Sequence, residues 1–435
     1  MNGMEPLGWY GALIGLFIAI FLILRKINPV YSLFFGAIAG AVIGGASLDQ
    51  TLALLTAGTQ SVMGTVIRVL AAGVLAGVMM ESGAAETIAQ AVVKTMGEGK
   101  AIMALALATM IITAVGVFIP VAVLIVAPIA LSVGNKMGIS KLALLLALSG
   151  GGKAGNIISP NPNAIAAANG FHITLSDVMI AGFIPAVGGL LMTILIAGLL
   201  KNRGAKVTDE EAAALSAHQP AGDKRYPPLH RAIVAPLVAV ILLMINPIGS
   251  ILHIPQLSEC KLDALYVLPI AGIVGLLAMG QHRKLIAYTA SGLEKMTATV
   301  LILIGAGAIA GLIAASNLST QVVALINLMG ISGTFLAPIS GILMAAATAS
   351  TSTGVILATG TFGSAIANVG GSPIASAVMV HTGATVIDSL PQGNYFHVTA
   401  GSMNMALRQR MSLIPYEAMV GGTMTLIATV LYGLL

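Results

Sequence analysis

Residues 149–170, SGGGKAGNIISPNPNAIAAANG, combine side chains that suit the binding of a polar solute. Amide and hydroxyl groups both donate and accept hydrogen bonds, and an ammonium group attracts an anion. The side chains that could do so are Lys153, Asn156, Ser159, Asn161 and Asn163. Because Pro160 and Pro162 interrupt a helix and fix extended backbone, we expect these groups at a break in regular structure.

Two further polar segments lie later in the chain. Residues 382–401, TGATVIDSLPQGNYFHVTAG, repeat the mixture of glycine, proline and polar residues, and the candidates there are Asp388, Ser389, Gln392 and Asn394. Residues 345–355, AAATASTSTGV, hold five hydroxyl residues within six positions, and the candidates are Ser350, Thr351, Ser352 and Thr353. Hydroxyls in apolar helices also bond to the preceding turn or join helices, so this cluster has a structural interpretation beside the binding one.

The composition places these polar segments inside a membrane protein. Of the 435 residues, 57% are hydrophobic and 8% are charged, whereas soluble domains carry about a quarter charged residues. Apolar runs close to the roughly 20 residues that cross a bilayer recur along the chain. Lipid demands that backbone groups bond internally, and the alternating pattern of an outer-membrane barrel is missing, so we predict an all-α polytopic membrane protein.

The composition also excludes several other classes of protein. The lone cysteine, Cys260, rules out a disulfide framework and a thiolate metal site. The run GGGKAG lacks the Lys-Ser/Thr that ends a phosphate-binding loop, and the net charge of +5 fits basic cytoplasmic loops better than a nucleic-acid surface. We therefore expect no cofactor, no metal, no nucleic acid and no enzymatic cluster. The first apolar run, Leu7 to Leu24, is followed by Arg25 and Lys26, which is typical of a membrane helix rather than a cleavable signal.

A polar stretch at residues 201–231 divides the chain into two similar parts, residues 1–200 and residues 232–435. Short matches, such as Ile184-Pro185 with Ile414-Pro415, recur at a nearly constant spacing. Recurrence of this kind indicates an internal duplication.

Basic residues predict how the two halves are oriented. In the first half Arg25 and Lys26 follow the first helix, whereas in the second half Arg283 and Lys284 follow the second helix. Since lysine and arginine collect in cytoplasmic loops, equivalent loops should lie on opposite sides of the membrane. Residues 201–231 are then cytoplasmic, both termini are outside, and the halves form the inverted repeat of secondary transporters.

An inverted repeat needs an odd number of crossings in each half. We predict five helices per half, which in the first half are residues 7–25, 29–47, 64–81, 141–169 and 177–200. Residues 101–134 then form a re-entrant hairpin bent near Val115 to Pro120, and residues 149–163 are an unwound break in the fourth crossing. Non-helical backbone at that depth survives only inside protein or beside a wet cavity, so the hairpin tips and breaks of both halves should meet near the bilayer midplane.

Few ionisable residues lie in these segments, and charges inside a membrane are costly and usually functional. Asp388 is the leading candidate for a proton-binding group, and His381 is either a second proton carrier or a packed histidine. Lys153 either faces the solute or extends toward the membrane interface. The ends of the broken helices add amide donors that can hold a carboxylate.

Two sequence segments carry a resemblance to a known family. MMESGAAETIA (79–89) and VLIVAPIALSVGNK (123–136), with the hairpins and the proline-rich break, resemble the gluconate:proton symporter (gluconate permease) family, part of an ion-transporter superfamily of carboxylate carriers. The resemblance implies a symporter of the bacterial inner membrane that imports a small sugar acid or hydroxy-carboxylate, such as gluconate or glycerate, with protons. We expect a homodimer, for which the first helices of each half are the candidate interface.

The chain departs from that family in the first hairpin. Family members carry an acidic residue there, as in FVEVG, whereas residues 118–122 read FIPVA, with Pro120 in place of the acid. This departure makes Asp388 the main candidate for the proton-binding group. It also leaves a second interpretation, a sodium-coupled transporter of di- or tricarboxylates, which the superfamily also contains. An anion channel is the remaining alternative, although a channel needs no titratable site.

Overall fold

The structure, a computed structural model, describes residues 6–211, 226–259, 262–329, 332–369, 371–391 and 393–434. The candidate Gln392, the lone Cys260 and residues 212–225 of the connecting stretch lie outside these ranges. Within them the regular structure is helical, with two isolated β-bridges and no strand.

The helices of the first half begin and end close to the breaks in the apolar pattern. They are α1 (Trp9–Leu24), α2 (Pro29–Ile43), α3 (Leu48–Ser61), α4 (Met63–Glu81), α5 (Ala84–Met96), α6 (Ala101–Ala114), α7 (Ile119–Met137), α8 (Lys141–Ile157), α9 (Pro162–Gly170), α10 (Leu175–Ala181) and α11 (Phe183–Leu200). The turn between α6 and α7 lies at residues 115–118, where the sequence predicts the hairpin bend.

The second half repeats this order of helices from its hairpin onward. Its helices are α12 (Leu229–Ala232), α13 (Val234–Ile251), α14 (Pro255–Ser258), α15 (Ala264–Met279), α16 (Leu285–Ala314), α17 (Leu318–Met329), α18 (Leu336–Thr348), α19 (Thr351–Asn368), α20 (Pro373–Gly383), α21 (Asn394–Ser402), α22 (Leu407–Met411) and α23 (Ile414–Thr429). The helices α18 to α23 follow one another as α6 to α11 do. Ala349, with φ of +48°, turns the chain between α18 and α19.

The described chain is a multi-pass membrane protein. Seven helical stretches of at least 18 residues are long and apolar enough to cross a membrane. Large apolar side chains on the outside of the first helices, such as Phe17 and Phe35, are exposed, as expected for contact with lipid rather than water.

Close glycine contacts hold α16 against α3 and α4. A Cβ atom at Gly58 of α3 would lie 2.1 Å from the backbone oxygen of Gly307, and one at Gly77 of α4 would lie 2.3 Å from the backbone oxygen of Tyr288. Small residues let helix backbones approach in a membrane, where packing rather than the hydrophobic effect joins helices. These three helices therefore form a closely packed frame.

The first break is shorter than the sequence predicts. Helix α8 continues to Ile157, so Lys153 and Asn156 are helical and the unwound chain is limited to residues 158–161. A Cβ atom at Gly151 would lie 2.1 Å from the backbone oxygen of Ala106 on α6. The predicted unwinding of 149–157 is wrong, because these glycines permit close helix packing instead of ending the helix.

Candidate functional site

A cavity of about 760 Å³ lies between the two hairpin turns and the two helix breaks. Its wall includes residues 118–121, residues 348–353, Asn156, Asn163, Asp388 and residues 393–395. The second break comprises residues 384–391 and Gly393, between α20 and α21. Both hairpin turns and the second break therefore border one volume, and Asn156 and Asn163, which flank the first break, line the same volume.

The lining residues come in pairs from the two halves. The sequence separation between Asn156 and Asp388 equals that between Asn163 and Tyr395. Residues 118–121 and residues 350–353 are separated by the same number of positions. The same separation relates the start of α7 to that of α19, and the start of α9 to that of α21. Corresponding positions of both halves therefore surround the cavity.

Asp388 and Lys153 form a buried ion pair at the cavity wall. One carboxylate oxygen of Asp388 accepts from the Lys153 ammonium at 2.6 Å and from the Ser389 hydroxyl at 2.8 Å. The other oxygen accepts from the Thr351 hydroxyl at 2.6 Å. Lys153 also donates to the backbone oxygen of Thr385 at 2.7 Å. Since buried charges are stable only when paired and hydrogen-bonded, these contacts hold α8 to the second break and the second hairpin.

Asn161 organises the first break. Its side-chain oxygen accepts from the backbone N–H groups of Asn163 and Ala164 at 2.8 and 3.0 Å, which caps α9. Its amide nitrogen donates to the backbone oxygen of Asn156 at 2.8 Å. Two buried atoms at the cavity, Nδ2 of Asn156 and Oδ1 of Asn163, have no partner within the described chain. They offer one donor and one acceptor to a solute, whereas Asn161 is occupied by its structural contacts.

Of the remaining predicted residues, some line the cavity and others do not. The hydroxyl cluster, residues 350–353, and Asn394 line the cavity. Ser159 and His381 are fully buried and do not line it. The Ser159 hydroxyl and both ring nitrogens of His381 have no hydrogen-bond partner among the residues that the structure describes.

Basic residues in the wall were missed by sequence reasoning. Lys26, Lys295 and His397 all line the cavity, and the Lys295 ammonium contacts the Glu81 carboxylate at 2.8 Å. A charge within the 30-residue helix α16 is the signal that could have found Lys295. Because the ion pairs of Asp388 and Lys295 are each neutral, Lys26 gives the wall a net positive charge, which favours an anion.

A second buried ion pair lies behind Tyr395. The Arg410 guanidinium donates to the Glu417 carboxylate at 2.7 and 3.1 Å, and the Tyr395 hydroxyl donates to the same carboxylate at 3.3 Å. Arg410 also donates to the Thr399 hydroxyl at 2.9 Å and lies 5.0 Å from the centroid of the Phe396 ring. These contacts fix the start of α21 against α22 and α23, and no local sequence pattern predicts them.

Three helices begin at the cavity wall. The starts of α7, after Phe118, and α21, after Gly393, have no side-chain cap. At the start of α19 the Ser350 hydroxyl accepts from the backbone N–H of Thr353 at 3.3 Å. The first N–H groups of a helix lack partners inside the helix and carry a partial positive charge, so they bind carboxylates. The site is therefore chemically suited to a small anion with hydroxyl groups.

Known proteins match the chain over almost its full length. The model of the GntP family permease matches residues 9–435. An uncharacterized transporter of Haemophilus influenzae is 48% identical over 430 residues, which cover 99% of each chain. A gluconate permease of Zymomonas mobilis is 25% identical over 446 residues, which cover 96% of each chain.

Two solved structures share the fold. The YdaH transporter of Alcanivorax borkumensis has a TM-score of 0.68 at 17% identity, with 89% of this chain and 90% of that one covered. MtrF of Neisseria gonorrhoeae, described within a class of antimetabolite efflux pumps, has a TM-score of 0.64 at 14% identity, with 96% and 95% covered. At these identities the likeness concerns the fold alone. From the match over residues 9–435 it follows that this chain belongs to the GntP permease family and is a transporter, not an enzyme.

Proposed function

We propose that this permease is a secondary active symporter that imports a small sugar acid or hydroxy-carboxylate across the bacterial inner membrane with protons. The observation that carries the proposal is a cavity bordered by helix starts, partnerless amide atoms and a buried, ion-paired carboxylate. The gluconate permease among the relatives supports a sugar acid as the substrate.

An inverted repeat of residues 1–200 and 232–435, joined by a cytoplasmic stretch, accounts for the paired lining residues. The repeated helix order and the equal sequence separations support the duplication. The pairs α6–α7 and α18–α19 fit re-entrant hairpins, because the turn of each pair borders the cavity rather than an outer surface.

The substrate carboxylate fits best at the starts of α19 and α21. Backbone N–H groups near Ser352 and Asn394 are available there, and a broken helix in a membrane binds anions in this way. The hydroxyl groups of the substrate can then reach the partnerless side-chain atoms of Asn156 and Asn163. A sugar acid supplies both kinds of group in one molecule.

Asp388 and Lys153 supply a means of coupling. When Asp388 takes up a proton, Lys153 loses its compensating charge in a buried site, which is unfavourable. A substrate carboxylate in the cavity restores the balance of charge, so proton and anion stabilise each other's binding. Release of both restores the ion pair seen in this structure.

Uptake by the purified protein in sealed vesicles tests the proposal. With the interior made alkaline, we expect labelled gluconate or glycerate to accumulate above its outside concentration, and with no gradient we expect it only to equilibrate. Protein-free vesicles are the control. Uptake that ignores the pH gradient but follows a sodium gradient would instead support a sodium-coupled di- or tricarboxylate carrier.

We also propose that the protein is a homodimer formed through the first helices of each half. Large apolar side chains on α1 and α13, including Phe17, Leu237 and Ile241, are exposed and can pack against a second copy. Cysteine pairs introduced on α1 should crosslink between copies in the membrane, and a monomer by native mass measurement would contradict this.

A further inference from the structure

A second cavity, of about 410 Å³, follows the first along α16. Thr299 and Ile302 of α16 line the first cavity, whereas Leu303 and Ala314 line the second. At about 1.5 Å per residue, a helix of 30 residues is long enough to span a bilayer. The two cavities therefore lie toward opposite ends of a membrane-spanning helix.

The wall between the two cavities is thin. On α9, Asn163 lines the first cavity and Ala166 the second, and on α16 the neighbours Ile302 and Leu303 line different cavities. Ile356 of α19 lines both and is only 3% exposed. Since a helical turn rises about 5.4 Å, the wall between the two cavities is about one helical turn thick. The Ile356 side chain lies within this wall.

Polar groups continue on the far side of this wall. Asn169 and His172 line both the second cavity and a third, of about 460 Å³, whose wall includes the ion pair of Arg68 and Asp263. Charged side chains are avoided in contact with lipid tails, so these volumes suit water rather than lipid. The second and third cavities thus share a polar part of their wall.

Hydroxyl groups flank Ile356 along α19. Thr353 lines the first cavity, and Thr359 and Ser364 line the second. The spacing of these residues from Ile356 places them on one side of a helix. A solute leaving the start of α19 would meet polar groups again directly beyond the isoleucine.

We propose that the second cavity is the route to the opposite face of the membrane and that Ile356 is the barrier that closes it in this conformation. The inference deepens the proposed function and rests on it. An apolar side chain in a narrow constriction excludes an organic anion, because the anion would have to give up its hydration without gaining partners. Ile356 therefore keeps the substrate gradient from dissipating.

Cysteine accessibility tests the two cavities without any assumption about the substrate. In a Cys260→Ser background, Thr299→Cys places a thiol in the first cavity and Thr359→Cys one in the second. A charged, membrane-impermeant maleimide should label Thr299→Cys from one side of sealed vesicles and Thr359→Cys from the other. Labelling of both from the same side, or no labelling of Thr359→Cys from either, overturns the assignment of the route.

Ile356→Ala tests the barrier itself against the matched variant Ile366→Ala. Ile366 lies on the same helix, is 2% exposed and lines neither cavity, so both variants lose the same atoms from buried positions. After accumulation of labelled gluconate, Ile356→Ala should release it several-fold faster than Ile366→Ala when the pH gradient is held. The conservative variant Ile356→Val should retain gluconate as the wild type does.

The outcomes separate the barrier from the proposed function. Equal retention of gluconate by Ile356→Ala and Ile366→Ala overturns the barrier. Failure of the wild type to accumulate any sugar acid overturns the proposed function instead, and the labelling of Thr299→Cys and Thr359→Cys from opposite sides then still tests the route.

Discussion

The two helix breaks lie beside the same cavity, the first through its flanking residues Asn156 and Asn163, but they differ in how their polar groups are satisfied. In the first break, residues 158–161, the neutral side chain of Asn161 caps α9. In the second break, residues 384–391 and Gly393, Asp388 carries a charge, and α21 begins after Gly393 without a side-chain cap. The first break is neutral and its helix start is capped by Asn161, whereas the second is charged and leaves backbone donors for a ligand.

In the proposed inverted repeat, this difference means that the equivalent elements of the two halves have different tasks. The first half contributes Lys153, which is buried and reaches across to the second half, and the second half contributes Asp388, which borders the cavity. The asymmetry of the breaks can be tested by substitutions at each of them.

Removal of the charge at Asp388 should have the largest effect. Asp388→Asn leaves Lys153 buried without its partner, and breaking a buried pair in this way costs about 3–5 kcal/mol. It also removes the proposed proton-binding group. We expect proton-driven accumulation in vesicles to be lost, while exchange of labelled for unlabelled substrate without a gradient persists. Accumulation at the wild-type level would assign the proton to another group.

The double variant Lys153→Met/Asp388→Asn separates stability from coupling. It removes both charges, and replacing a buried ion pair by neutral groups of similar volume is often close to neutral for stability. We therefore expect thermal unfolding in detergent near that of the wild type, with accumulation still absent. Should the double variant be as unstable as Asp388→Asn, the ion pair would not be the cause of the instability.

Gly393→Ala should have the next largest effect, because the second break touches the second hairpin turn. A Cβ atom there would lie 2.4 Å from the backbone oxygen of Ala349, so alanine displaces the break from the turn. We expect uptake to fall several-fold while circular dichroism shows the same helix content. Gly401→Ala, on the helix α21 that follows Gly393, meets nothing within 4 Å and should leave uptake unchanged. Similar uptake by the two variants would show that the close contact between Gly393 and Ala349 is not needed for transport.

Asn161→Ala should have the smallest effect, because it removes a cap from a break that holds no charge. Loss of an N-cap costs about 1 kcal/mol, so we expect a lower midpoint of thermal unfolding. Substrate affinity, measured by calorimetric titration, should change less than for Gly393→Ala. Asn161→Ser keeps a capping oxygen and should recover most of the stability, and a larger loss of affinity than of stability would show that Asn161 contacts substrate.

The outline of the fold could be predicted because the relevant signals are local. Apolar runs mark helices, and glycine, proline and asparagine mark turns, so the bend after Ala114 and the break around Asp388 were found at the right places. Whether a glycine ends a helix or lets it pack closely depends on the neighbouring helix, which the local sequence does not show. At Gly155 a Cβ atom would lie 2.1 Å from the backbone oxygen of Met110, and only the fold shows that this glycine packs a continuous helix.

Long-range partners explain what the sequence left open at the site. The two interpretations of Lys153 depend on a carboxylate 235 positions away, and no periodicity relates residues at that distance. The pair of Arg410 and Glu417 was missed for a similar reason, because both residues look like ordinary helix-end charges until α22 and α23 bury them. Types of polar residue could be predicted, but their pairing could not.

The contact between Lys153 and the backbone of Thr385 has a consequence for how such a protein can evolve. Thr385 is as far from Lys153 in sequence as Asp388 is from Asn156, so in the proposed inverted repeat the lysine touches its own equivalent in the other half. In that proposed repeat, a side chain that touches its own equivalent lies beside the pseudo-two-fold axis, where one large side chain fits and two do not. A duplicated chain that keeps a cation at this position must then replace its equivalent by a smaller residue, so a central charge requires the two halves to differ.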